Sequence, residues 1–518
     1  MLKFKSFIFN ERYSFYLLLF LTVVGIFFTN PFLIYPYDVY THLEWMYNQD
    51  ITTPLDSARV AWHYSWENIF SLFHISKSQI LLKAYIIHYT QVIAIFFAIF
   101  YTSKVVIRNI FIDILTIEIN ILAYWATLIW FSIFSTFSGY YHQVWILWYS
   151  VNYQITLPLA LLTMALSISF ILENKTKTVK FLQLLLIAFF SYVILKIHAM
   201  EYIYYLLYMS VLMLVYIDMI FKICKRYIYY AIPLFIGLLI VASQFIVYLK
   251  TSSYRVPPIF NYLSFDKMPE LIKEIEARGS MLYFHYDRYG SSINELMVLV
   301  LALLAILLIT ILYRYIRGYR SIVHTRMVIF LLITSLFIAI PLTKVTGGIA
   351  SLLTYTTVVH RFYYSSLLFL ILPVFVFYIY TILKIRKIYL LHIVIATTLI
   401  ATFYYSKHVS SWHNYYKNII SIKNSFSQDK VGFNLSKKEI YTIGEKLKYY
   451  ESIHKHKKPN YYYARGDIAM VLKFIYGKNV HYRKTFYYEK SYREHKDKKY
   501  YPILFEVPKE FPTFQFYK

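Results

Sequence analysis

The sequence predicts an all-α polytopic membrane protein of about 11 transmembrane helices that ends in a small C-terminal α+β soluble domain. Three observations predict it. The 518 residues are 59% hydrophobic and only 15% charged, whereas about a quarter of a soluble protein is charged. Apolar runs of bilayer-crossing length, about twenty residues, recur along the first four hundred positions. The linkers between those runs alternate between basic and poorly basic, the signature of a chain threading a membrane.

The runs fall at 13–30, 84–103, 110–137, 156–172, 181–195, 202–221, 229–249, 296–312, 327–343, 362–383 and 388–405. One set of linkers, 1–12, 104–109, 173–180, 222–226, 313–326 and 384–387, holds 18 Lys and Arg in 49 residues. The alternate set, 31–83, 138–155, 196–201, 250–295 and 344–361, holds 12 in 141. Basic loops stay on the cytoplasmic side, so the N-terminus is expected there. The first run follows Lys3, Lys5 and Arg12 but leads into "FFTNPFLIYP" rather than a small-residue cleavage site, so it is expected to be a retained span. With 11 crossings, 1–405 forms the transmembrane domain with outer loops 31–83 and 250–295, and the soluble domain 406–518 is extracytoplasmic. The expected location is an integral, multi-pass protein of a bacterial cytoplasmic membrane.

The net charge of +26 is assigned to these loops and to anionic lipid heads, not to nucleic acid. The 57 tyrosines accompany abundant Ile, Lys and Phe, which AT-rich coding explains without a function. Cys224 is the only cysteine, which excludes a disulfide within the chain and a cysteine-based metal site. In the tail, 436–453 opens with Ser436 and Glu439 as a capping box and has helical apolar spacing. The segment 461–477 reads as a short helix ended by Gly477, and the proline-punctuated stretches after it read as strands.

The first outer loop opens with "YPYDVYTHLEWM". Asp38 and His42 are four residues apart and share one helix face; Glu44 points elsewhere if that stretch is helical. A carboxylate beside an imidazole at the water–lipid boundary can take a proton from a hydroxyl or hold a divalent cation. The plainer alternative is a helix cap and a hydrogen-bonding histidine. Further along, Trp62, Trp66, Ile69, Phe70 and Phe73 recur at helical spacing, as in an amphipathic helix at the headgroup layer.

In these features the chain resembles the GT-C class of membrane glycosyltransferases, with a cytoplasmic N-terminus, an acidic residue just past the first span and interfacial helices in the same loop. The resemblance covers the topology and this one short motif. It implies transfer of a sugar from a polyprenyl-phosphate donor to a glycan, lipid or protein acceptor of the cell envelope. It further implies Asp38 as general base, with His42 and Glu44 beside it. "YDVY" stands where several branches carry paired acids, which leaves a divalent cation open as a cofactor.

Other outer segments supply candidates for substrate binding. Around Gly347 and Gly348, Lys344, His360 and Arg361 offer cations for a lipid phosphate, which would neutralise the leaving group; snorkelling to headgroups is the alternative. Trp145, Trp148 and Tyr149 offer faces for a sugar or form an aromatic belt. His285, with Arg255 and Arg288, lies in the charge-balanced loop 250–295, which reads as a lid or a solvated helix. Lys196, His198 and Glu201 cluster between two spans, and Asp113, Glu118 and Asp218 lie in inner halves of runs, where they would suit ion coupling. A surface-polysaccharide polymerase or ligase and a transporter or flippase are the alternatives to the glycosyltransferase.

Overall fold

The computed structural model describes residues 57–75, 80–112, 114–133, 155–197, 199–226, 258–262, 264–288, 295–319, 321–342, 344–353, 367–383 and 437–453, together with Leu239, Ser243 and positions between 462 and 482. Helices dominate them: α1 Ser57–Leu72, α2 Ile80–Ile110, α3 Thr116–Ile133, α4 Leu157–Leu172, α5 Lys177–Ile197, α6 Ala199–Val215 and α7 Ile217–Arg226. Then come α8 Met268–Arg288, α9 Glu295–Ile316, α10 Ile322–Leu342, α11 Lys344–Leu353, α12 Ile371–Leu383 and α13 Lys437–Ile453.

The centre is α2, 31 residues long, which packs on α3 and α4 and also touches α10. Small and hydroxyl side chains allow the close approach of α2 and α4, as they do between helices in lipid. Ala98, Thr102 and Ser103 of α2 are buried, as are Ala160, Leu161 and Ala165 of α4. Thr102 Oγ1 donates to its own helix at Ala98 O (2.7 Å) and lies 2.9 Å from Leu161 O across the interface. Ser167 of α4 and Tyr205 of α6 share a buried hydroxyl pair at 2.9 Å, and Tyr208 of α6 packs on Phe337 of α10 at 5.8 Å between ring centres. Trp125 and Trp130 of α3 complete the core, both almost wholly buried.

The expected count of 11 spans is overturned. Among the described residues two helices are long and apolar enough to cross a membrane, Tyr89–Ile110 and Lys177–Leu195, with mean hydropathies of 1.8 and 2.0. A third crossing exists only if Tyr204–Val215 and Ile217–Ile223, bent by 88°, count as one. The run 110–137 divides at 111–115 into the end of α2 and the 18 residues of α3. The runs 156–172 and 362–383 hold the shorter apolar helices Leu157–Leu172 and Leu367–Ile379, while the runs 296–312 and 327–343 fall within α9 and α10, of which the apolar stretches Ala302–Ile316 and Ile322–Phe337 are counted among the described residues. The runs 13–30, 229–249 and 388–405 lie outside the described helices. The physical reason is that hydropathy counts apolar side chains without knowing whether they face protein or lipid. A short apolar helix is as readily a core element as a span. In α4, for example, 12 of 16 residues are buried.

The outside of the bundle is nonetheless apolar. Only 28% of the apolar window of α5 is buried, and Val179, Leu182, Leu185, Phe189 and Tyr192 form an exposed stripe at helical spacing. Leu214 and Phe221 on α6 and α7 and Ile309 and Ile316 on α9 are exposed as well. A continuous face of this kind marks a membrane or partner surface.

The C-terminal α+β domain is not found among the described residues. The tail shows α13, which follows Ser436 directly, and two three-residue strands, Tyr462–Ala464 and Val480–Tyr482, paired in parallel. A strand stands where the sequence predicts the start of a helix at 461–477. Two strands of this length do not make an independent sheet. Ile443 and Leu447 of α13 are buried, as is Leu472, and the Tyr476 hydroxyl lies against Gly444 while Lys478 bonds Glu451, so the segment after the strand is pinned to the helix.

Helices α8 and α11 pack closely on each other, and glycine makes that possible. A Cβ on Gly279 would lie 2.1 Å from the carbonyl oxygen of Lys344, and one on Gly348 would lie 2.1 Å from that of Ile275. The obstructing atoms are backbone, so no rotamer change relieves the clash. Gly348→Ala is expected to force the helices apart at a cost of about 1–3 kcal/mol, read as a fall in the thermal midpoint. An unchanged midpoint would mean that this contact does not form.

Candidate functional site

Two groups of ionic side chains sit at opposite ends of α2. Near its start, the ammonium of Lys83 is fully buried and donates to both carboxylate oxygens of Glu67 on α1, at 2.9 and 3.1 Å. It also lies 5.3 Å from the ring centre of Phe70, one turn further along α1. An ammonium removed from water requires such a partner. The pair therefore docks α1, the helix of the expected first outer loop, onto the head of α2.

At the other end, Asn109 and Arg108 meet the α4–α5 turn. Glu173 accepts from Arg108 and, at 3.2 Å, from Asn109 Nδ2 through one oxygen. Its other oxygen accepts from Ser169 Oγ at 2.7 Å and pairs with Lys175 at 2.9 Å. Burial alone would raise the Glu173 pKa. The hydrogen bonds from Arg108, Lys175 and Ser169 outweigh it and hold the carboxyl at about 2. Arg326 of α10 donates to the Asn109 carbonyl at 2.7 Å. Nearby, Tyr378 of α12 takes a hydrogen bond from Arg314 of α9 at 3.3 Å and lies 3.0 Å from His324 Nε2 of α10.

These contacts gather residues from 104–109, 173–180 and 313–326 at one end of the bundle, although they are distant in sequence. They are three of the linkers that the sequence marks as basic. From Lys83 to Asn109 the helix rises by about 39 Å at 1.5 Å per residue, close to the thickness of a bilayer with its headgroups.

Lys344 opens α11 and is exposed. Because α10 starts at the Arg326 end and crosses the bundle, α11 begins at the end opposite the basic cluster. His285 lies on α8, six positions beyond the Gly279 that touches the Lys344 backbone, so the two candidates stand on packed helices. Asp38, His42, Glu44, Trp145, His360 and Arg361 lie outside the described residues, as do Asp113, His198 and Arg255. Glu118 is buried near the start of α3, where it accepts from the Leu115 amide at 3.2 Å as a helix cap, and Asp218 is exposed on α7. Glu201 is buried at the start of α6. Among the described residues no three His, Cys, Asp or Glu side chains come together to hold a metal ion.

Sequence reasoning missed Glu173 and the Lys83–Glu67 pair. Both had a signal. Glu173 is the lone acid of a basic linker, and Lys83 is a lone cation in "ILLKAYII".

Acid should loosen the Glu173 end. The folded pKa is depressed, so its stabilisation is complete above about pH 4.5 and is lost as pH falls toward about 2. The loss is at most about 3 kcal/mol. The thermal midpoint of the wild type is expected to drop between about pH 6 and about pH 3.5 more than that of Glu173→Gln. Equal drops would show that Glu173 does not titrate with folding.

Compared with known protein families, with curated proteins and with solved structures, the chain matches none. What the fold defines is a helical bundle with two, or with the bent pair three, helices among the described residues that are long and apolar enough to cross a membrane.

Proposed function

We propose that the chain is an integral membrane glycosyltransferase of the GT-C type, taking a sugar from a polyprenyl-phosphate donor to a cell-envelope acceptor at the outer face. The observation that carries the reading is the placement of α1, α8 and α11 at the end of the bundle opposite the basic linkers. These helices come from three of the five segments that the loop charges put on the outside. In this reading the basic linkers and the N-terminus face the cytoplasm. Asp38 takes the proton of the acceptor hydroxyl, with His42 beside it and Glu44 nearby. Arg361, Lys344 and His360 hold the donor phosphate as the sugar departs, while Trp145 and His285 contact substrate.

The test is sugar transfer by the purified chain, supplied with radiolabelled sugars on polyprenyl phosphate and with lipid acceptors. Transfer that falls in Arg361→Ala supports the reading; an inert, folded wild type with every donor tried overturns it. A reporter fused at the C-terminus locates the tail, and a cytoplasmic signal would remove the outward tail from the resemblance.

The 88° bend between α6 and α7 favours a second reading, a transporter or flippase, because broken helices mark transport sites. Movement of a labelled lipid-linked sugar across proteoliposomes, without transfer, would select it.

A further inference from the structure

We propose that Lys180, Lys175, Arg108 and Arg226 form a binding site for a phosphate group at the basic end of the bundle. The inference does not depend on the glycosyl-transfer reading. Lys180 stands one turn into α5 and is 7% exposed. Its ammonium donates to the Phe170 carbonyl at 2.9 Å and lies 5.2 Å from the centre of the Phe170 ring. Neither partner carries a negative charge. The nearby carboxylate is Glu173, and its two oxygens are already engaged by Arg108, Asn109, Ser169 and Lys175.

Four cations thus gather around one saturated acid: Arg108 and Lys175 bonded to it, and Lys180 within electrostatic reach of Glu173, Lys175 and Arg226. Arg226, the last residue of α7, is exposed and brings a guanidinium suited to phosphate oxygens. A buried ammonium bonded only to a neutral carbonyl, beside three more solvent-reachable cations, suits an anion with several acceptor oxygens. The site lies where the apolar stripe of α5 begins, at Val179 and Leu182, the level at which a lipid headgroup meets its acyl chains. A phosphodiester headgroup and a free phosphate ester share the required chemistry.

The full chain in zwitterionic detergent would be titrated, by calorimetry, with short-chain phosphatidylglycerol, short-chain phosphatidylcholine and inorganic phosphate. Saturable binding of the phospholipids without inorganic phosphate identifies a lipid headgroup, with phosphatidylglycerol over phosphatidylcholine marking an anionic one; equal binding of inorganic phosphate identifies a soluble phosphate. In either case Arg226→Gln and Lys180→Gln should each weaken binding by about tenfold, one charge-assisted hydrogen bond. Glutamine at 180 can still donate to the Phe170 carbonyl, and exposed Arg226 is a variant expected to fold. Arg317→Gln, an exposed cation of another linker, should leave binding unchanged. The proposal is overturned if no phosphate compound binds, if Arg226→Gln and Lys180→Gln bind as tightly as the wild type, or if Arg317→Gln weakens binding as much as the cluster variants.

Discussion

The Asp38→Asn protein is expected to transfer sugar about 10²–10⁴-fold more slowly than the wild type, the usual contribution of a positioned general base. The substitution keeps the shape of the side chain and removes its ability to take a proton. Donor affinity, which the proposed reading assigns to Arg361, Lys344 and His360, should change little. The same preparation should unfold at the wild-type temperature, because no buried group is removed from the described core. His42→Asn should give a smaller loss and move the acidic limb of the pH–rate profile, because in the proposed reading the imidazole tunes the carboxylate and does not replace it. Transfer by Asp38→Asn at the wild-type rate would end the assignment of Asp38 as base.

Truncating Glu67 should have the largest effect on stability. In Glu67→Ala the ammonium of Lys83, which has no exposed surface, loses both of its carboxylate bonds. Breaking a buried pair from one side costs about 3–5 kcal/mol, because the remaining charge stays buried. Replacing both partners, with Lys83→Met and Glu67→Leu, removes that charge and should recover most of the loss. The comparison is made by thermal unfolding of the single and double variants. A double variant as unstable as the single one would mean that the pair is not what docks α1. Since α1 follows the Asp38 segment in the chain, Glu67→Ala should also raise KM in the transfer assay more than the double variant does.

Parts of this arrangement were legible in the residues alone. The apolar spacing of Trp62, Trp66, Ile69, Phe70 and Phe73 and the capping signals of 436–453 each mark a helix, and the structure has α1 over Ser57–Leu72 and α13 over Lys437–Ile453. Helix formation depends on neighbours three and four positions away, so local pattern suffices. The basic linkers were legible as a set, and three of them meet around Asn109, Glu173 and Arg326. The span count was not legible. The sequence of α4 is as apolar as that of α5, yet α4 is mostly buried by α2 and its neighbours while α5 turns a broad face outward.

Composition and periodicity thus settle that this chain is helical, apolar and charged at its linkers, because those properties are carried by adjacent residues. Which apolar helix faces its neighbours and which faces outward is decided by contacts between distant segments. So is the choice of Glu67 as partner for Lys83, and of Glu173 as the anchor for Arg108. The same holds for the carbonyl of Ile275 that fills the space beside Gly348. These are long-range pairings whose energies come from burial and desolvation, and only the folded arrangement brings their members together.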